Sequence, residues 1–516
     1  MNVVDISVVA SDRLDVFSET TPLDGGTRHE ITVRNPHGRA VPVQRVAVKI
    51  DHSPALVLEQ GYQSWSPTWV RRPAHSSEAR SSAPDWILGT NFADPDTAKE
   101  AVVGDQVLVT DGGVIGWMRS SHLSTVVAGR GGGVDAIALL DGVEIPAGGE
   151  RSLDPLWFCE GDPGALYSTF ASRWGEMSAA RTQGSSPLGW CSWYEFFGGV
   201  TPEDILRNLR LAAEHRFDLV QIDDGYQAAI GDWLDLAPSW AGVGSMRALA
   251  EEIASTGLSA GIWTAPFLAA ESSAIAREHP DWITRHPPTG KLSKAMFNPA
   301  WGGWALALDT TNPAVLDHIR TTFRTLRDWG FGYHKIDFCY SAALVATRHD
   351  PTKTRAEALR MGLEAVREGI GEDAYLLGCG CPFGPAVGVV DAMRVSPDVA
   401  PYWEERAVWP GMEGSGVAAS NAVRASKLRA PLHRRLFVND PDCVLLRPTN
   451  TELTVEQRRT LADSVLDTGA FVVLSDDMAR YGDAEWAEVE RLRTERAPRD
   501  RPLDLVDPFS ADAFPE

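Results

Sequence analysis

Through residues 1–180 apolar and polar positions alternate in short runs. Glu30-Ile31-Thr32-Val33-Arg34 and Val41-Pro42-Val43-Gln44-Arg45-Val46-Ala47-Val48 are of this kind, and Gly, Pro and Asn turns separate such runs. Period-two segments broken by turn residues are strands with one buried face, and a series of them predicts an antiparallel β-sandwich. Gly131-Gly132-Gly133 lies between apolar strands with no helix after it. It is expected to be a hairpin turn, not a phosphate cradle.

The pattern changes at Arg181-Thr182-Gln183-Gly184-Ser185-Ser186-Pro187, a polar stretch that marks a domain boundary. Beyond it, short apolar strands alternate with amphipathic helical stretches, as in a parallel sheet. Strands are expected around 188–196, 219–223, 259–265, 333–337, 375–379, 392–395, 436–440 and 471–475. Thr201-Pro202-Glu203-Asp204 opens one intervening helix, with a threonine cap, proline at the first position and acids in the first turn. Asn312-Pro313 opens another, which runs to Trp329-Gly330. An open doubly wound sheet would alternate in the same way, but eight such units over about 300 residues favour a closed (β/α)8 barrel. The fold class is therefore α/β: a TIM barrel over residues 187–480, preceded by an N-terminal β-sandwich over 1–180. Residues 481–516 are expected to hold a final helix, near 485–495, and a short Pro- and Asp-rich tail. The longest insertion, 272–311, is rich in Pro, Trp and Gly.

Composition narrows the function. A length of 516 residues suits two to four domains, and the hydrophobic (44%) and charged (23%) fractions are those of a globular chain. The net charge of −22 disfavours nucleic acid and anionic membrane surfaces as partners and leaves a neutral substrate as the simplest fit. Residues 1–17 show no signal-peptide pattern and no run is apolar enough for a membrane span, so a cytoplasmic location is expected. The six cysteines are scattered through apolar segments, as buried reduced thiols would be. Cys379 and Cys381 lack the further ligands of a zinc site, so no metal or cofactor is expected. Eighteen tryptophans are many; most should pack cores, and some could offer flat faces to sugars.

Barrel chemistry gathers at the carboxyl ends of the strands. Here those ends carry carboxylates: Asp223-Asp224, Asp337, Asp398 and Asp442. Lys335 and Asp337 share a face of the fourth strand, so a lysine beside Asp337 would keep it ionised as a nucleophile; a structural ion pair at the rim is the alternative. Asp398 follows Arg394 and a Ser-Pro turn among apolar and aromatic neighbours, a setting that raises a carboxyl pKa and suits a proton donor, although Asp after Ser-Pro is also an ordinary turn residue. The adjacent Asp223 and Asp224 repel, a cost that ligand hydroxyls or a cation would offset. Calcium needs six to eight oxygens, which no loop here offers, and capping of the next helix would explain one of the two. Two other classes compete: metal-dependent aldol or enolase chemistry on a barrel, and a lectin-like sugar-binding protein.

In order along the chain stand Gly189-Trp190-Cys191-Ser192-Trp193-Tyr194, Asp223-Asp224-Gly225-Tyr226-Gln227, Gly261-Ile262-Trp263, Lys335-Ile336-Asp337 and Arg394-Val395-Ser396-Pro397-Asp398. This series resembles glycoside hydrolase family 36, the α-galactosidases of clan D, in its shorter bacterial form. Gly61-Tyr62-Gln63-Ser64-Trp65-Ser66 resembles that family's loop from the sandwich domain into the pocket. The likeness runs from about residue 60 to about 480.

The resemblance implies a retaining hydrolase of terminal α-D-galactosyl residues in oligosaccharides. It implies Asp337 as nucleophile, Asp398 as acid/base, and Asp223 and Asp224 as the pair holding the 4- and 6-hydroxyls. Lys335 would contact the 3- and 4-hydroxyls, and Arg394 would lie near the 2-hydroxyl and the acid/base. Trp65, Trp193, Tyr194 and Trp263 would form pocket walls, with Cys379 on the sugar's C2 side. The chain departs from the family in two places. The region after Asp476 is too short for most of the usual C-terminal β domain, and Cys381 stands where serine or a similar residue is expected. The second departure leaves an α-N-acetylgalactosaminidase or a raffinose-synthase-like transglycosidase as alternatives.

Overall fold

The alternation in the first third of the chain places Val33, Val41, Val43, Val46, Val48 and Ile50 inward on their strands, and all six are buried. In the computed structural model, which describes residues 1–73, 81–128, 133–504 and 508–509, these strands belong to one hydrogen-bonded sheet of thirteen. Pairing is antiparallel except where Gln60 meets Gly104. Strands from both ends of the sheet, such as Val41–Ile50 and Leu156–Glu160, share one apolar core, so the sheet folds over on itself as a sandwich. The strands Leu123–Ala128 and Val134–Ile145 pair through Ala128 and Val134, as a hairpin requires; part of the glycine run between them lies outside the described residues.

Helices within this unit were not expected from the alternation. Asp85–Asn91 and Pro95–Glu100 are short, and Pro163–Met177 is four turns long with Asp162 as its cap. The last buries Tyr167, Phe170 and Trp174, the spacing of one helix face, between the sandwich and the barrel.

The eight barrel strands are Leu188–Cys191, Leu219–Ile222, Ser259–Thr264, Phe331–Ile336, Tyr375–Gly378, Ala392–Arg394, Val438–Asp440 and Val472–Leu474. All pairs are parallel, each strand lies beside its sequence neighbours, and the first also pairs with the eighth. The seam between the seventh and eighth is closed by a single parallel bridge, Val444 to Leu474. Helices follow as the capping signals predict. Thr201 forms a capping box with Asp204 ahead of Pro202–Glu214, and Asn312 caps Pro313–Asp328. The final helix, Asp483–Arg499, is longer than the expected 485–495. Among the described residues no helix is long and apolar enough to cross a membrane.

Two features of the fold decide what surrounds the barrel mouth. The insertion after the third strand forms its own antiparallel sheet from Leu268–Ala270, Lys294–Asn298 and Gly303–Ala307. On the other side the sandwich is fastened to the barrel by buried contacts. Arg355, at the start of the helix after the fourth strand, reaches Asp141 at 2.8 Å and the Ala93 carbonyl at 3.0 Å.

Candidate active site

The strand ends bring the expected carboxylates together, but with partners that spacing alone did not reveal. The fourth strand ends at Ile336, and the chain turns sharply there: Phe338 sits in the left-handed region at φ 53°. A bulky residue in that region is strained and persists only where its surroundings hold it. The turn lets Phe338 N–H bond Oδ1 of the preceding Asp337 at 2.8 Å, while the Trp263 indole donates to Oδ2 at 3.1 Å. Both oxygens of Asp337 thus accept a fixed donor.

Lys335 forms its direct ion pair with another carboxylate, although its charge and that of Asp337 still interact. Its ammonium lies 3.0 Å from Oδ2 of Asp223, both groups buried. The cause is geometric: with period two, Lys335 leans across the barrel interior toward the second strand, while Asp337 lies beyond the strand end. Burial by itself would lower the lysine's pKa, but Asp223, with Asp337 and Cys379 adding to it, holds the ammonium well above its ordinary range. Asp223 also accepts from Gln221 at 2.6 Å and from the Asp224 backbone N–H at 2.9 Å. Its own N–H donates to Ser192 at 3.0 Å.

The repulsion between the paired aspartates is therefore offset by protein donors. Lysine serves Asp223, while Asp224 accepts from Gln227 at 2.5 Å and from the Trp301 indole at 2.8 Å. Burial still pushes the Asp224 carboxyl up, with the nearby Asp223 and Asp337 adding to it.

Asp398 follows the sixth strand through Ser396-Pro397. Its Oδ1 accepts from the Trp65 indole at 3.3 Å and lies 3.4 Å from Arg394. The side chain is 32% exposed. The Trp65 indole and the Arg394 guanidinium flank the carboxyl on its Oδ1 side. Burial, with the charge of Asp442 next, raises Asp398 to a pKa of about 7. Arg394 opposes this only in part, because its guanidinium is committed to Asp440 at 3.0 Å and Asp442 at 2.8 Å. Burial would lower the Arg394 pKa, and these two carboxylates hold it above its ordinary range.

Trp65 reaches this site on the loop of the sandwich domain after the strand Val57–Gln60. The loop is held on one side by Tyr62 and Gln63, which donate to the carbonyls of Gly89 and Thr90 at 2.6 and 2.9 Å. On the other side the buried Arg429 donates to the carbonyls of Gln63, Ser64 and Val395 at 3.1, 3.1 and 2.7 Å. Gly380 takes φ 50°, and a Cβ there would stand 2.6 Å from the Trp65 ring. Glycine at 380 therefore leaves the space the indole fills.

The remaining expected residues are placed as follows. Trp193 is half-buried at the mouth, its ring edge-on to Phe197 at 5.2 Å. Tyr194 is buried, and its hydroxyl donates to Asp442, so it braces the acid that holds Arg394. Cys379 is buried beside Asp337 and Arg394, and burial pushes its thiol well up. Cys381 is fully buried, its thiol toward the Pro382 carbonyl and the Cys339 thiol. It is packed in the apolar core.

Sequence reasoning missed Trp301, Phe338, Gln227, Gly380 and Arg429. Trp301 sits in the Pro-, Trp- and Gly-rich insertion, and no periodic pattern ties it to Asp224. Among the described residues three indoles donate to three carboxylates: Trp263 to Asp337, Trp301 to Asp224 and Trp65 to Asp398. They come from a barrel strand, the insertion and the sandwich loop. Two carboxyls result with different surroundings: Asp337 has an N–H donor on each oxygen, and Asp398 is raised to about 7, a contrast that suits a nucleophile and a general acid.

The family model described as Melibiase matches residues 192–369. An α-galactosidase of Geobacillus stearothermophilus, AgaA, is 28% identical over 138 residues, 25% of this chain and 18% of the relative's length. An Escherichia coli α-galactosidase is 25% identical over 159 residues, 30% of this chain and 20% of that protein. The chain thus aligns with about a fifth of the length of these curated relatives. Likeness in structure extends much further. TtGalA, an α-galactosidase from Thermus thermophilus solved with stachyose, superposes with a TM-score of 0.75 at 28% identity, covering 92% of this chain and 99% of that one. The AgaA structure, at 15% identity and a TM-score of 0.64, covers 94% of this chain and 68% of its own, and bears on the fold alone. The resemblance to glycoside hydrolase family 36 is borne out by these matches.

Proposed function

We propose that this chain, a relative of the family 36 α-galactosidases, is a retaining glycoside hydrolase that releases terminal α-D-galactosyl residues from oligosaccharides. The observation that carries the reading is the contrast between Asp337, with a donor on each oxygen, and Asp398, raised to about 7. Retaining hydrolysis needs one carboxylate to attack and one carboxylic acid to protonate. It is further supported by the match to TtGalA, whose structures hold stachyose and a p-nitrophenyl α-galactoside.

In this reading the sugar enters with its hydroxyls against Asp223, Asp224 and Lys335. An Asp337 oxygen attacks the anomeric carbon, and the bond to the leaving oxygen breaks as Asp398 gives that oxygen its proton. A covalent glycosyl ester on Asp337 results. Asp398, now a carboxylate, takes a proton from water as the water attacks the same carbon, and Asp337 departs. Two inversions leave the product anomer as it began. Trp65, Trp193 and Trp263 offer apolar ring surface to the sugar's CH faces, with Cys379 on the side of Asp337 and Arg394. The six cysteines are free and buried, in keeping with a cytoplasmic enzyme.

A panel of aryl α- and β-glycosides, with the product anomer followed by NMR, tests sugar, linkage and stereochemistry together. Turnover of the α-galactoside with the α-anomer appearing first is expected. Release of the β-anomer would contradict the two-step mechanism, and preference for another sugar would contradict the substrate.

A further inference from the structure

Trp301 has no part in the reaction just described, yet its position is tightly determined. It ends a single helical turn, Pro299–Trp301, at the tip of the hairpin formed by Lys294–Asn298 and Gly303–Ala307. Asn298 caps that turn by accepting from Ala300 N–H at 3.0 Å. Gly302 and Gly303, at φ 80° and 138°, reverse the chain directly after it, where a side chain would be strained. The tip thus presents a half-buried indole whose N–H meets Oδ2 of Asp224 at 2.8 Å. Its ring closes edge-on against Phe338 at 5.2 Å and tilts against Trp263 at 6.5 Å, the residues that flank and hold Asp337.

This contact is not required by the packing of the barrel. Asp224 is anchored by its own backbone and by Gln227, and an asparagine there would spare the cost of a buried charge. A carboxylate kept in place with one donor on each oxygen has lone pairs left over for hydroxyls and a single orientation in which to offer them. The geometry points to Trp301 as a specificity-determining positioning residue, which holds Asp224 in the orientation that reads a sugar hydroxyl. The inference rests on the reading of Asp224 as a substrate-binding carboxylate. A site built to hydrogen-bond a hydroxyl rejects analogues lacking it because its polar group is left unpaired; when that group can turn away, the rejection weakens.

The test compares kcat/KM for p-nitrophenyl α-D-galactopyranoside with its 6-deoxy analogue and its 4-epimer, the α-D-glucopyranoside. Trp301→Phe keeps an aromatic ring and removes the N–H. Its preference for the galactoside over at least one analogue should fall by about tenfold, the worth of a charge-assisted hydrogen bond, through KM more than kcat. Replacing Trp301 by its benzothiophene isostere, which alters only the N–H, should give the same loss and covers the case in which Trp301→Phe does not fold. Unchanged preferences against both analogues in the folded isostere would overturn the inference and leave Trp301 a packing residue. A failure of the functional reading is seen earlier and separately: the unaltered enzyme would then show no preference for the galactoside, and the inference would fall with it.

Discussion

The indole N–H of Trp65, carried on a loop of the sandwich domain, donates to Oδ1 of Asp398 at 3.3 Å across 333 positions of sequence. Two effects of this residue on the acid oppose each other. Its N–H favours the ionised carboxyl, whereas its bulk helps exclude the water that would do the same. Trp65→Phe keeps the bulk and loses the N–H, so the pKa of Asp398 should rise. Trp65→Ala admits water, and because burial is the largest cause of the raised pKa, it should fall. The proton-donor form is lost as pH rises through about 7 in the unaltered enzyme. The basic limb of kcat/KM should therefore move to higher pH in Trp65→Phe and to lower pH in Trp65→Ala. Limbs that do not move would show that Trp65 does not govern the acid.

Asp337→Ala removes the attacking carboxylate and should lower kcat by a factor of about 10⁴ or more, in the range seen when a catalytic nucleophile is lost. Added azide can enter the vacated space and attack from the same face. Turnover of an activated galactoside should return, with a β-galactosyl azide as product. Undiminished activity without azide would refute the role of Asp337.

The role of Asp398 as acid is read from its dependence on the leaving group. An activated aryl galactoside needs little protonation, while a natural disaccharide needs it fully. Asp398→Ala should therefore retain glycosylation of the first far better than of the second. Equal losses on the two substrates would argue that Asp398 only shapes the pocket.

Arg429 offers a test of how the two domains make one site. Its buried guanidinium bonds the Gln63 and Ser64 carbonyls on the Trp65 loop and the Val395 carbonyl next to Arg394. Burial lowers its pKa to about 10, which still leaves it charged at neutral pH. Arg429→Ala strands three buried carbonyls, at a cost of about 3 kcal/mol or more. Denaturant unfolding should register that loss. The pH profile should also shift toward that of Trp65→Ala, since the loop is freed; stability lost with no change in profile would limit Arg429 to a structural role.

The carboxylates at the strand ends were legible because the barrel's logic is local. A short strand followed by Asp can be read from the chain; Asp223 and Asp337 stand directly after their strands, and Asp398 stands four residues beyond the sixth. Seven of the eight expected strands overran their carboxyl ends by a residue or more, because the residues with chemical roles are those where the ladder stops and the backbone turns, as the positive φ of Phe338 shows. The partner of Lys335 was misjudged for a related reason. Spacing shows that Lys335 and Asp337 share a face, but only the curvature of the closed sheet brings Lys335 to Asp223.

By itself the sequence determined the alternation that makes a sandwich followed by a barrel, the caps that begin its helices, and the strand ends that hold the acids. These follow from hydrophobic period, turn chemistry and capping, which act over a few residues. Tertiary structure alone decided which indole serves which carboxylate, that Cys381 packs in the core, and that Trp301 and Arg429 come to the strand ends. Those contacts join segments tens to hundreds of residues apart, and their energies depend on burial and direction, which no local pattern encodes.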